Sequence, residues 1–147
     1  MSRAGPRVTV GELTLSPAYE LRPDATIRDV AEVLVRERVP AALLGAALAI
    51  VSEHDVVRAV ARGRSVDERA AFVATPDPIG VARETPVLEA AEIMLRQGLR
   101  ALVVVDGSGR AIGMLTLVHA VEALFAVDEV PAWLSGLRVA LRVQMEQ

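Results

Sequence analysis

Residues 25–44, ATIRDVAEVLVRERVPAALL, lie over residues 85–104, TPVLEAAEIMLRQGLRALVV, at one constant offset. Val30 falls on Ala90, Ala31 on Ala91, Glu32 on Glu92, Val33 on Ile93 and Leu34 on Met94. Val35/Leu95, Arg36/Arg96 and Ala41/Ala101 continue the match. Further on, AIVSEHDVV (49–57) lies over IGMLTLVHAV (112–121), with Ser52 on Thr116. The offset grows there because the second copy carries the longer turn DGSGR (106–110). Upstream, 14–21 pairs loosely with 74–81. One motif written twice in 147 residues leaves room for two half-size units that bury their apolar faces on each other.

Each copy has the same order of elements. A short strand bounded by prolines comes first, over 18–21 and 79–82. Pro23-Asp24 and Glu84-Thr85-Pro86 then mark a helix start. Ile27, Val30, Val33 and Leu34 recur at helical spacing, as do Val87, Ala90, Ala91, Met94 and Leu95. Gly98 is placed to end the second of these helices in the left-handed conformation. Continuous apolar runs at 41–44 and 101–105 suit strands covered on both faces. Further strands are expected at 48–51 and 112–115, after a clipped turn at 45–47 and a hairpin turn at 106–110. A second helix closes each copy, over 55–62 before Gly63 and over 119–125, with 63–69 as the link. The class is therefore α/β in the α+β sense: two β-α-β-β-α repeats related by a pseudo-two-fold. They are expected to occupy 8–65 and 66–127. Residues 128–147 are expected to form an amphipathic C-terminal helix, with Trp133, Leu134, Leu137, Leu141 and Met145 on one face.

Composition removes several kinds of function. Hydrophobic residues make up 52% and charged ones 24%, which excludes intrinsic disorder. With 3% aromatics (Tyr19, Phe72, Phe125 and Trp133) the core must be aliphatic. There is no Cys, so no disulfide, thiolate metal site or Cys nucleophile. All 16 basic residues are Arg, which excludes lysine-based phosphate loops and Schiff bases. A net charge of −3 with scattered arginines does not provide the basic patch that nucleic acid requires. The longest apolar stretch, 41–51, is too short to span a membrane. The N-terminus lacks the apolar run of a signal peptide, so a cytoplasmic location is expected.

The chemistry gathers where the third strand of each copy meets its second helix. Ser52 and Asp55 have the spacing of N-cap and N3 in a capping box. A helix start of this kind offers amide donors and a dipole suited to phosphate. A carboxylate three residues on can accept hydrogen bonds from a ribose diol, and a hydroxyl can donate to phosphate. The same two residues also make a good helix cap with no ligand at all.

The doubled pattern resembles a tandem pair of CBS domains, often called a Bateman module, over roughly residues 8–126. The family signature is a glycine, two apolar residues, Ser or Thr, two variable residues and Asp. Its matches here are Ala49-Ile50-Val51-Ser52-Glu53-His54-Asp55 and Gly113-Met114-Leu115-Thr116-Leu117-Val118-His119. The resemblance implies that Ser52 and Asp55 grip the ribose and phosphate of an adenosine ligand, with His54 beside them and Thr116 and His119 in the same places in the second copy. The first copy departs from the signature at Ala49, and His54 replaces the commoner Arg. The second departs at His119, which cannot act as the double acceptor that a carboxylate is.

By the same resemblance, adenine occupies an apolar slot between the first strand and the start of the second strand of a copy. In the first copy those walls are Ala18, Tyr19 and Glu20 with Val39, Pro40 and Ala41. In the second they are Pro78, Ile79 and Gly80 with Leu99, Arg100 and Ala101. Tyr19 is the one aromatic among them, and the candidate to lie against a base.

The resemblance therefore implies a stand-alone regulatory module. It would bind AMP, ADP, ATP, NAD or S-adenosylmethionine as a regulatory ligand, with no catalytic cofactor and no metal, and signal in trans to an effector protein. A homodimer is implied too, through the Ala31/Val35 and Ala91/Leu95 helix faces. The other reading is a structural or dimerisation protein whose degenerate CBS pair holds no ligand. An enzyme is not expected: His54 and Asp55 are adjacent on a helix, point apart, and cannot orient one another beside Ser52.

Overall fold

A computed structural model describes residues 8–45 and 49–125. The C-terminal helix expected over 128–147 and part of the clipped turn lie outside the described residues. The elements run β1 (Glu20–Leu21), α1 (Ile27–Glu37), β2 (Ala41–Leu44), β3 (Ala49–Ser52), α2 (Glu53–Ala61), β4 (Thr75–Pro76), β5 (Gly80–Ala82), α3 (Val87–Gln97), β6 (Ala101–Val105), β7 (Ala111–Thr116) and α4 (Leu117–Phe125). Short 3-10 turns at Val10–Glu12 and Ala70–Phe72 lie near the start of each copy. This is the doubled mixed α+β pattern that the repeat implies.

Local chemistry sets the helix ends. Thr26 caps α1: its Oγ1 accepts the Asp29 amide at 3.1 Å, and the Asp29 carboxylate accepts the Thr26 amide at 2.9 Å. Ile27, Val30 and Leu34 then recur along one buried stripe. Gly98 ends α3 at φ 66°, a conformation that costs glycine little. At the matching end of α1, Arg38 holds φ 55° and ψ 46°. Arg38→Gly is expected to raise stability by about 0.5–1 kcal/mol, read by urea unfolding, because the left-handed strain exceeds the entropy that glycine adds to the unfolded chain.

Two sheets form. The first has the order β1-β2-β3-β4 and the second β5-β6-β7. β1 and β5 run parallel to β2 and β6, and the β2–β3 and β6–β7 pairs are antiparallel. The turn between β6 and β7 is tied by Asp106. Its carboxylate accepts the Ser108 hydroxyl at 2.6 Å and the Ser108 and Arg110 amides at 2.9 and 3.0 Å. The Ser108 hydroxyl and then those amides hold the Asp106 carboxyl below the usual aspartate range.

The two copies exchange the segments that lead them. β4 comes from the start of the second copy, yet pairs antiparallel with β3 of the first. Reciprocally, Ser16 pairs with Met114 of β7, exchanging bonds of 3.0 and 2.8 Å. The helix starts are served in the same way. The α1 amides of Ile27 and Arg28 donate to the carbonyls of Glu68 and Val66, at 3.0 and 2.8 Å. The α3 amide of Val87 donates to the carbonyl of Val8 at 2.9 Å. These bonds satisfy donors that a helix leaves open at its start.

The cores follow the exchange. Ile27, Val30, Leu34, Ala42, Leu44, Val51 and Ala59 pack with Ala70, from the start of the second copy. Val81, Val87, Ala90, Met94, Leu102, Val104 and Leu115 pack with Val10, from the start of the first. Segment 63–69 is thus more than a link, since Val66 also packs on the first core. Between the sheets, Ala41, Ala101 and Met114 meet Ala18 and Ile50. That second contact explains why β2 is buried on both faces.

Candidate functional site

β3 passes directly into α2, so Ser52 ends the strand and caps the helix. The helix therefore begins two residues before the expected 55, and α4 likewise begins at Leu117 rather than 119. The Ser52 hydroxyl accepts the Asp55 amide at 3.2 Å, and the Ser52 amide donates to Asp55 Oδ2 at 2.9 Å. The hydroxyl also donates to Oδ2 at 3.0 Å. Arg58, one helical turn on, reaches Asp55 Oδ1 at 2.6 Å. A residue only 5% exposed thereby has hydrogen-bond partners at both carboxylate oxygens. The Glu53 amide donates to the Pro40 carbonyl at 2.9 Å, tying the helix start to the start of β2.

A cavity of about 670 Å³ opens beside this corner. The first copy supplies Pro40, Ala41, Ile50 and the start of α2, including Ser52, His54, Asp55 and Arg58. Facing them are Thr75, Asp77, Pro78 and Ile79 from the exchanged leader, with Gln97, Gly98, Leu99, Arg100 and Ala101 from the end of α3 and the start of β6. Ile50, Ile79, Leu99, Ala41 and Ala101 give apolar surface. Arg58, Arg100, Glu53 and Asp77 bring charge, and His54 lies among them.

Eight of the twelve candidate residues come together here: Pro40, Ala41, Ser52, His54, Asp55, Ile79, Arg100 and Ala101. Ala18, Tyr19, Thr116 and His119 do not line this cavity. The slot beside Ser52 and Asp55 is walled by the leader of the second copy, not by 18–20 of the first, because β4 crosses to β3. Ala18 instead sits between the sheets, and Tyr19 packs on the first core. The Tyr19 hydroxyl donates to Glu37 at 3.0 Å, and this bond raises its pKa. Glu37 is held below its usual range by Arg36 first and then by Tyr19. In the second copy the Thr116 hydroxyl accepts the His119 amide at 3.1 Å, and His119 Nδ1 is buried with no partner.

Residue-by-residue reading did not single out Ile50, Glu53, Val57, Arg58, Thr75, Asp77 and Gln97. Arg58 had a legible signal, an i,i+3 pairing with Asp55 on one helix face. Thr75 and Asp77 had none in the local sequence, since only the exchange brings them here. Among the described residues no cluster of three metal-ligating side chains occurs, and no helix is long and apolar enough to cross a membrane.

The comparisons with known proteins agree on one fold. The CBS domain family matches residues 69–126. A CBS domain protein from Pyrobaculum aerophilum, solved with AMP, is 38% identical and superposes with a TM-score of 0.71. The match covers 76% of this chain and 89% of that one. The chain belongs to the CBS-domain family. It is a tandem CBS pair, of which the family match itself covers the second copy and the Pyrobaculum relative most of both. The CBS pair of a protein solved with 5′-methylthioadenosine and S-adenosyl-L-methionine shares the fold at 20% identity and a TM-score of 0.72, covering 82% of this chain and 98% of that one. An uncharacterised 17.7 kDa protein of Acidianus ambivalens is 26% identical over 80% of this chain and 74% of its own length.

Proposed function

We propose that this CBS pair is a non-catalytic regulatory module that binds an adenosine-containing ligand in the 670 Å³ cavity. The observation that carries this reading is the convergence of the Ser52–Asp55 corner, apolar walls and two arginines on one cavity large enough for a nucleotide. The AMP complex of the 38%-identical relative supports it. Ser52 and the start of α2 face a phosphate, with Arg100 to neutralise it. Asp55 Oδ1, engaged by Arg58 alone among the described residues, keeps acceptor capacity for a ribose hydroxyl. Ile50, Ile79 and Leu99 flank the base. Ligand binding then shifts the balance between two states of the pair that a protein partner distinguishes. The α1 and α3 faces, with Val35 79% and Leu95 69% exposed, supply a homodimer contact.

Calorimetric titration with AMP, ATP and S-adenosylmethionine tests the proposal. Binding of at least one at millimolar concentration or below is expected, and no heat with any of them overturns it. Asp55→Ala is expected to weaken that binding at least about tenfold. Asp29→Ala removes the same capping carboxylate from α1, away from the cavity, and is expected to leave binding unchanged.

One observation favours a second reading, a structural pair without ligand. Ser52, Asp55 and Arg58 already satisfy one another, and the second copy has no carboxylate at His119. Under that reading, nucleotide leaves the oligomeric state and partner binding of Ser52→Ala/Asp55→Ala and of the parent protein equally untouched.

A further inference from the structure

A second cavity, of about 360 Å³, lies along the far end of α2. Arg58, Arg62 and Arg64 line it, opposite Phe72, Val73 and Thr75 of the segment that leads to β4. Among the described residues no carboxylate lines it, in a chain whose net charge is −3. Arg58 is shared with Asp55, and Arg64 meets Glu68 at 3.4 Å across a solvent-exposed pair. No hydrogen bond or ion pair engages the Arg62 side chain among the described residues. We infer that this cavity is a binding site for a phosphate-type oxyanion.

Three guanidiniums around one concavity supply planar donor forks that match phosphoryl oxygens in pairs. The end of α2 contributes about half a negative charge, which the guanidiniums outweigh. An incoming anion can displace Glu68 from Arg64 at little cost, because an exposed ion pair of this kind holds weakly. Thr75 adds a hydroxyl. Arg58 and Thr75 line both cavities, so the two sites adjoin. The phosphoryl group can therefore come from a free polyphosphate or from the tail of a nucleotide seated next door. The second source rests on the ligand reading above, and the first does not.

Inorganic pyrophosphate is the probe, titrated by calorimetry at fixed ionic strength with AMP and ATP run in parallel. Arg62→Gln removes one guanidinium and no structural bond. Arg96→Gln, on the exposed face of α3, makes the same charge change elsewhere. If the source is free, pyrophosphate binds with and without AMP, and Arg62→Gln weakens it about tenfold while Arg96→Gln does not. If the source is a nucleotide tail, ATP binds at least about tenfold more tightly than AMP and excludes pyrophosphate, and Arg62→Gln abolishes that advantage. The inference is overturned if pyrophosphate does not bind and ATP is no tighter than AMP. Equal weakening by the two Arg variants also overturns it. Pyrophosphate binding with no binding of AMP, ATP or S-adenosylmethionine would sink the adenosine reading and leave the anion site standing.

Discussion

Val10→Asp is expected to cost about 4 kcal/mol or more, with the second copy failing first, although residue 10 lies at the start of the first copy in the chain. Val10 is 0% exposed, packed among Val81, Val87, Ala90 and Leu102. Its amide donates to Thr85 at 2.8 Å, and the neighbouring Gly11 amide donates to Arg83 at 2.8 Å. A carboxylate at this fully buried position is cut off from water among apolar side chains. Leaving Val8–Leu13 undocked also strips the Val87 amide of its partner at the start of α3. Urea unfolding gives the magnitude, and native-state hydrogen exchange gives the location. Amides of α3 and β6 are expected to lose protection before those of α1 and β2. Ala70→Asp is the mirror experiment, with α1 losing protection first, because Ala70 is buried in the first core. A loss under about 1 kcal/mol, or loss of protection beginning in α1 for Val10→Asp, would show that the leaders are not exchanged.

That exchange also marks where sequence reasoning stopped. The repeat was visible because both copies keep the same helical stripe, Val30/Leu34 and Ala90/Met94, and both stripes are buried. The strands over 41–44 and 101–105 were legible because each must be covered on two faces, by its own helices and by the other copy. The Ser52–Asp55 box was legible because a helix cap is local chemistry within four residues. The cavity was only half legible. Part of its second wall comes from Thr75, in a two-residue strand with no periodicity to read, and from Asp77 at φ 50° just beyond that strand. Which sheet such a segment joins depends on the geometry of the whole pair, so the cavity is lined by Ile79 and not by Tyr19, the aromatic candidate. The glycine of the signature was likewise visible, but its reason was not.

That reason gives the second large effect, a loss of about 3 kcal/mol in Gly113→Val, with Gly113→Ala losing less. A Cβ at Gly113 would stand 2.9 Å from Leu15 Cβ, 3.1 Å from Leu15 Cδ1 and 3.1 Å from the Ser16 carbonyl oxygen. None of these is the free end of an exposed side chain. Ser16 is fixed by its two bonds to Met114, and Leu15 packs on the second core. Valine must therefore push the leader off β7, which forfeits both bonds and uncovers Leu15. The first copy carries Ala49 at the matching place, and β4 still pairs there through Pro76, so that crossing accommodates a methyl. The signature glycine is thus a condition of strand exchange at β7, separate from any contact with ligand. The two roles separate by experiment: Gly113→Val is expected to lower the urea midpoint, while the nucleotide binding proposed beside Asp55 is retained in the folded fraction. A midpoint within error of the parent protein would mean that Leu15 and Ser16 do not lie against Gly113 in solution.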